Sequence, residues 1–109
     1  MSAQDFTLDA ATFIATCRAL NAASRGWRGS VKLRFTPSQL LIEGDMGGGV
    51  VATTGTFEAE VTVPYGILAK IASLHRSSAK TEPWIKCTLN DELREIRFPR
   101  GGLKAKFAR

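Results

Sequence analysis

The sequence predicts an α+β protein in which the order strand, helix, three strands is used twice. Three observations predict it. Apolar and polar residues alternate in eight short runs, two longer runs repeat their apolar positions every three or four residues, and turn-forming residues separate most of them.

Asp5 to Asp9 sets Phe6 and Leu8 between polar neighbours, and Asp9 then offers a carboxylate to cap a helix. From Ala10 to Ser24 the apolar positions Ala10, Phe13, Ile14, Cys17 and Leu20 mark one helix face, with Gly26 placed for a left-handed stop. Val31, Leu33 and Phe35 alternate with Lys32 and Arg34, and Thr36-Pro37-Ser38 turns the chain into Leu40 to Glu43. Gly47-Gly48-Gly49 reads as a flexible hairpin tip, and Val50 to Thr56 as the next strand. Gly55 marks either a bulge or the junction where the chain leaves one sheet.

The second half repeats the order. Phe57, Ala59, Val61 and Val63 share one side of a strand that runs into Pro64, a residue favoured at the first helical position. Ile67, Leu68, Ile71 and Leu74 mark the helical stripe, and His75 and Arg76 complement the negative end of the helix dipole. Trp84 to Leu89, Leu93 to Phe98 and Leu103 to Phe107 are the last strands, turned at Asn90-Asp91 and at Pro99 to Gly102. The pseudo-repeats span about 5–56 and 57–107. At a shift of 55, Phe6-Thr7-Leu8 lies over Val61-Thr62-Val63 and Phe13 over Leu68; at 54, Val31, Leu33, Phe35 and Ile42 lie over Ile85, Cys87, Leu89 and Ile96.

A chain of 109 residues makes one domain, 1–109. Its longest uncharged run, Met46 to Phe57, is only twelve residues, far short of a membrane span, so no membrane partner is expected. Met1 to Phe6 has neither the basic nor the apolar region of a secretory signal, which places the protein in the cytoplasm. Cys17 and Cys87 sit among apolar neighbours without metal or redox spacing and read as reduced core thiols.

A duplicated βαβββ unit of this length resembles one domain of the bacterial DNA sliding clamps. The most specific part is Gly55, Val63-Pro64, Leu68, Ile71, Leu74, Ile85, Cys87, Leu93, Ile96, Leu103 and Phe107. Val31-Lys32-Leu33-Arg34-Phe35-Thr36 and Leu40-Leu41-Ile42-Glu43-Gly44 add to it from the first half. The resemblance implies two helices packed on one face of antiparallel sheets and lining a ring, the strands outside joining subunits edge to edge. It also implies a non-catalytic processivity or accessory role in replication or repair. Clamp rings contain six domains, so a one-domain subunit would need six copies. The chain lacks the connector and tail that complete the partner-peptide groove of full-length clamps, so that site is not carried over.

The net charge of +5 is uneven: residues 1–64 hold five basic and six acidic groups, 65–109 ten and four. Clamps attract duplex DNA through helix-borne cations, an interaction weakened by salt. By position the candidates here are Arg18, Arg25, Arg28, Lys70, Arg76 and Lys80. Alternation sends a second basic set, Lys32, Arg34, Lys86, Arg97, Lys104 and Lys106, to the sheet faces opposite the core and makes those outer faces the more basic. That set either meets a polyanion or keeps exposed strands soluble. A third set, Ala15 and Ala19 on the small-residue face of the first helix, with Trp27 in the following loop, points to a protein partner or a second copy. Alanine is equally the best helix former, Trp27 equally a cover for the core, and Trp84 a core or rim residue.

Enzyme chemistry finds little material. His75 is the only histidine, Gly47-Gly48-Gly49 lacks the Gly-Lys-Ser/Thr of a phosphate loop, and neither Asp91-Glu92 nor Glu58 with Glu60 has a polar cluster beside it. Neither catalysis nor a metal or other cofactor is expected. Two readings follow: a clamp-like module binding duplex DNA weakly and without sequence preference, and an adaptor that keeps the fold but binds protein or itself.

Overall fold

Alternation decides which side of each strand is buried. In β2 (Ser30–Thr36) the buried residues are Val31, Leu33 and Phe35; in β6 (Trp84–Asn90) they are Ile85, Cys87 and Leu89. Each such side chain withdrawn from water contributes roughly 1.5–3 kcal/mol, so the pleat fixes the orientation of every strand. The computed structural model describes residues 3–24, 29–44 and 47–107. The remaining elements are β1 (Ala3–Asp9), α1 (Ala10–Ser24), β3 (Gln39–Gly44), β4 (Gly47–Ala52), β5 (Ala59–Pro64), α2 (Tyr65–Leu74), β7 (Glu95–Phe98), β8 (Gly101–Lys104) and β9 (Lys106–Phe107).

Two antiparallel sheets result, ordered β1-β6-β7-β8 and β4-β3-β2-β5-β9. The first strand of each half is given to the sheet of the other: β1 pairs with β6, and β5 pairs with β2. Neither half can therefore bury its apolar face alone. Phe6 of β1, Phe35 of β2 and Phe57 meet where the sheets converge, with ring centroids 5.1–5.7 Å apart. Phe13 of α1 stacks on Phe98 of β7 at 5.9 Å.

The helix starts differ chemically. Asp9 Oδ2 accepts from the Thr12 backbone N–H and from its hydroxyl, which caps α1 as its sequence foretells. Pro64 is the residue before α2, with ψ 125° in the extended region, and not the first helical residue. Tyr65 begins the helix, tied by its N–H to the Gly29 carbonyl.

Several expectations are corrected. The glycine run is no flexible tip: Gly47, Gly48 and Gly49 are paired residues of β4, which ends at Ala52 rather than Thr56. A Cβ at Gly49 would lie 2.9 Å from the Thr16 side chain, so the missing side chain lets α1 settle on β4. Residues 55–58 form an irregular connection from β4 to β5, two strands of the same five-stranded sheet, so Gly55 does not mark a change of sheet, and Phe57 precedes β5. Ile67 and Leu74 are not core residues; Tyr65, Leu68, Ile71 and Ala72 are. His75 is buried at the end of α2, where its Nδ1 donates to the Ile71 carbonyl of the last turn at 2.9 Å and so meets the negative end of the helix from within the core. Its Nε2 has no hydrogen-bond partner among the described residues. Leu93 is exposed in the turn before β7, where Arg94 takes φ 51°. The expected last strand is split at Ala105, so that β8 stays with β7 while β9 crosses to β5. Trp84 is half exposed, at the rim.

Candidate nucleic-acid interface

α1 and α2 lie side by side, and the Tyr65 hydroxyl donates to the Cys17 carbonyl across them. A groove of about 610 Å³ runs between the helices. Cys17, Tyr65, Ala69 and Ala72 form its apolar part, and Arg18, Lys70 and Arg76 stand along it. All three cations are exposed, as is Lys80 in the turn after α2. Neither helix contains an Asp or Glu, and among the described residues no ion pair involves Arg18, Lys70, Arg76 or Lys80. The two helices are thus of one sign, so their cations add rather than cancel in the field an approaching anion meets.

Arg25 and Arg28, assigned to the same surface, lie outside the described residues, as does Trp27. Ala15 and Ala19 are exposed on α1, leaving its surface close to backbone level. Sequence reasoning missed that α2 adds Ile67 and Leu74 to this side, 46 % and 45 % exposed. A signal was present: four large aliphatics at 67, 68, 71 and 74 span more than one helix stripe, and Tyr65 with Ala72 takes the remaining core positions.

The outer sheet faces are arranged otherwise. Lys32, Arg34, Lys86, Arg97, Lys104 and Lys106 all point away from the core, as alternation predicts. Register then places carboxylates among them. Lys32 approaches Glu60 at 3.8 Å, and Arg34 lies 3.5 Å from both Glu43 and Glu60. Glu95 holds Arg97 at 2.9 Å and Lys104 at 3.9 Å. Four of the six cations are paired in this way, and three carboxylates serve the four. The hydrogen bond from Arg97 comes first among the causes that hold the Glu95 carboxyl below the usual glutamate range, followed by the charges of Arg97 and Lys104. Lys86 and Lys106 have no ion pair among the described residues; Lys86 borders a shallow hollow over Gly101 and Gly102 with Arg97 and Glu95.

Cys17 and Cys87 are buried free thiols, and burial pushes both upward, Cys17 to about 12, so neither is a thiolate nucleophile near neutral pH. Among the described residues no three His, Cys, Asp or Glu side chains converge as a metal site would require. No helix among the described residues is long and apolar enough to cross a membrane. No family model and no curated protein matches the chain.

Proposed function

We propose that this chain is a non-catalytic, sliding-clamp-like module, an accessory to replication or repair, whose helical layer holds duplex DNA weakly and without sequence preference. One observation carries the reading: the helices contain cations and no carboxylate, while four of the six outward cations of the sheets lie beside a carboxylate of the same or a neighbouring strand. The βαβββ order of the first half, its recurrence in the second with β9 added, the exchanged first strands and the paired helices support the clamp-like part.

In this reading Arg18, Lys70, Arg76 and Lys80 meet phosphates, and Ala15, Ala19 and Gly66 let the duplex backbone come close to the helices. Nothing in that set reads base edges in a groove, so binding is indifferent to sequence. Affinity comes from released counterions: about four phosphate contacts give a log–log salt slope of roughly −3 to −4. The chain works in the cytoplasm, where free thiols such as Cys17 and Cys87 persist.

The test is affinity for a mixed-sequence duplex between about 50 and 200 mM salt, across which about a hundredfold loss is expected. Binding that is absent at low salt, or indifferent to salt, removes the reading.

Exposed Ile67 and Leu74 favour a second reading, an adaptor that docks protein on the helices and leaves DNA alone. Ala15→Glu with Ala19→Glu then abolishes capture of the partner in a chain whose circular dichroism is unchanged. Retained capture excludes α1 as the contact.

A further inference from the structure

Two sheets leave four edge strands, and an edge strand presents unpaired N–H and C=O groups that invite another chain unless something guards them. Three of the four are guarded. β1 carries Asp5, and its later part is closed by Thr53 and Thr54: the Thr54 N–H donates to the Thr7 carbonyl at 3.3 Å, and the Thr7 N–H to Thr54 Oγ1 at 3.0 Å. β8 is four residues long, ends on exposed Lys104 and follows Pro99-Arg100. β9 has two residues, one of them Lys106.

β4 is the exception. Its six residues, Gly47 to Ala52, include no charge and no proline, and among the described residues no backbone hydrogen bond reaches their free side. Val50 is 51 % exposed on the outer face, directly across from half-buried Leu41. The backbone groups along this edge call for an extended partner. The absence of charge selects the partner further, because β4 carries no charged residue and can meet its own copy in any register without setting like charges of the strand opposite one another. β8 and β9 are shorter, at four and two residues, and each carries a lysine.

We propose that β4 pairs antiparallel with β4 of a second copy, joining the two five-stranded sheets into one of ten strands about a two-fold axis. The pleat restricts the register, since inward positions must lie opposite inward ones. Centring the axis on Val50 satisfies this. Val50 then faces Val50 of the other copy as a β-branched cross-strand pair, Gly49 faces Val51, and Gly48 faces Ala52. An antiparallel continuation of this kind keeps the faces of the sheet in common. The α1 helices of both copies consequently lie on one side, and their cations point the same way.

The inference stands apart from the DNA reading and is tested without DNA. Solution mass is measured by light scattering from micromolar to millimolar chain, with amide hydrogen exchange followed over the same range. The expected result is a mass of two chains and exchange protection that grows with concentration in β4 but not in β8. Val50→Lys, a change at a half-exposed site, returns the mass to one chain while circular dichroism stays native. A single-chain mass at every concentration overturns the proposal. So does a mass beyond two chains with protection growing in β8, which signifies head-to-tail joining of β4 to β8, and so does a two-chain mass that Val50→Lys leaves intact.

Discussion

The helical layer carries four cations with no ion pair among the described residues, whereas the outer faces of the sheets carry six, four of them paired with carboxylates. On the sheets, antiparallel register sets Glu60 beside Lys32 and Arg34 and Glu95 beside Lys104, and Arg97 reaches Glu95 from two positions along the same strand. On the helices Arg18 and Lys70 have no acidic neighbour on their own element or on the adjoining helix. The difference teaches that counting cations does not locate an anion site; what counts is whether a carboxylate lies within a few ångströms, where an exposed pair is self-sufficient and gains little from a third charge.

The comparison breaks most directly by moving charge. Arg18→Glu with Lys70→Glu should weaken duplex binding by about a hundredfold at low salt. Lys86→Glu with Lys106→Glu changes the net charge equally on the outer faces and should leave affinity nearly unchanged. Equal losses in fluorescence-anisotropy titrations of the two double variants would show that binding follows overall charge and not the helical face.

Packing gives a second and smaller effect. Gly49→Ala pushes a methyl into Thr16 and lifts α1 from β4, at about 1–3 kcal/mol by chemical denaturation. Gly66 on α2 is the counterpart: a Cβ there meets nothing within 4 Å, and Gly66→Ala should stabilise by about 0.5–1 kcal/mol, read as a higher midpoint. A loss at Gly66 as large as at Gly49 would mean that the groove side of α2 is already filled.

The smallest effect is protonic. Because the folded carboxyl of Glu95 is depressed, the contribution of its pairs is present above the ordinary glutamate pKa of 4.5 and is lost as pH falls through the lower folded value. Carboxyl-carbon NMR should therefore show Glu95 titrating below 4.5, and Arg97→Ala should move it back toward that value. An ordinary Glu95 in the native chain would dissolve the matched arrangement on that sheet.

Much of the architecture was legible because strand alternation and helix periodicity are local. Phe6, Leu8, Leu33, Phe35, Ile85 and Ile96 are buried as their spacing requires, and Asp9 caps α1. The failures fall where a distant partner decides. Gly49 is in a strand because Thr16, thirty-three positions earlier, needs the space of a side chain. Ile67 and Leu74 lie on the water side because Tyr65 takes a core place and ties α2 to the Cys17 carbonyl. His75 turns inward to the Ile71 carbonyl and Phe98, an outcome its position at a helix end does not announce. In the candidate site the positions of Arg18, Lys70, Arg76 and Lys80 were legible from helix placement. Their freedom from carboxylates was not.

By itself the sequence determined the order of elements, the buried side of each strand and the sign of each half, since all three follow from residue type and spacing of two or three to four. Tertiary structure decided which strands exchange between halves, which cations are matched and which edge stays open. Those depend on register between segments up to eighty-seven residues apart, as where Ala3 meets Asn90. Short-range pattern carries no information about that register until both chains of the pair are laid side by side.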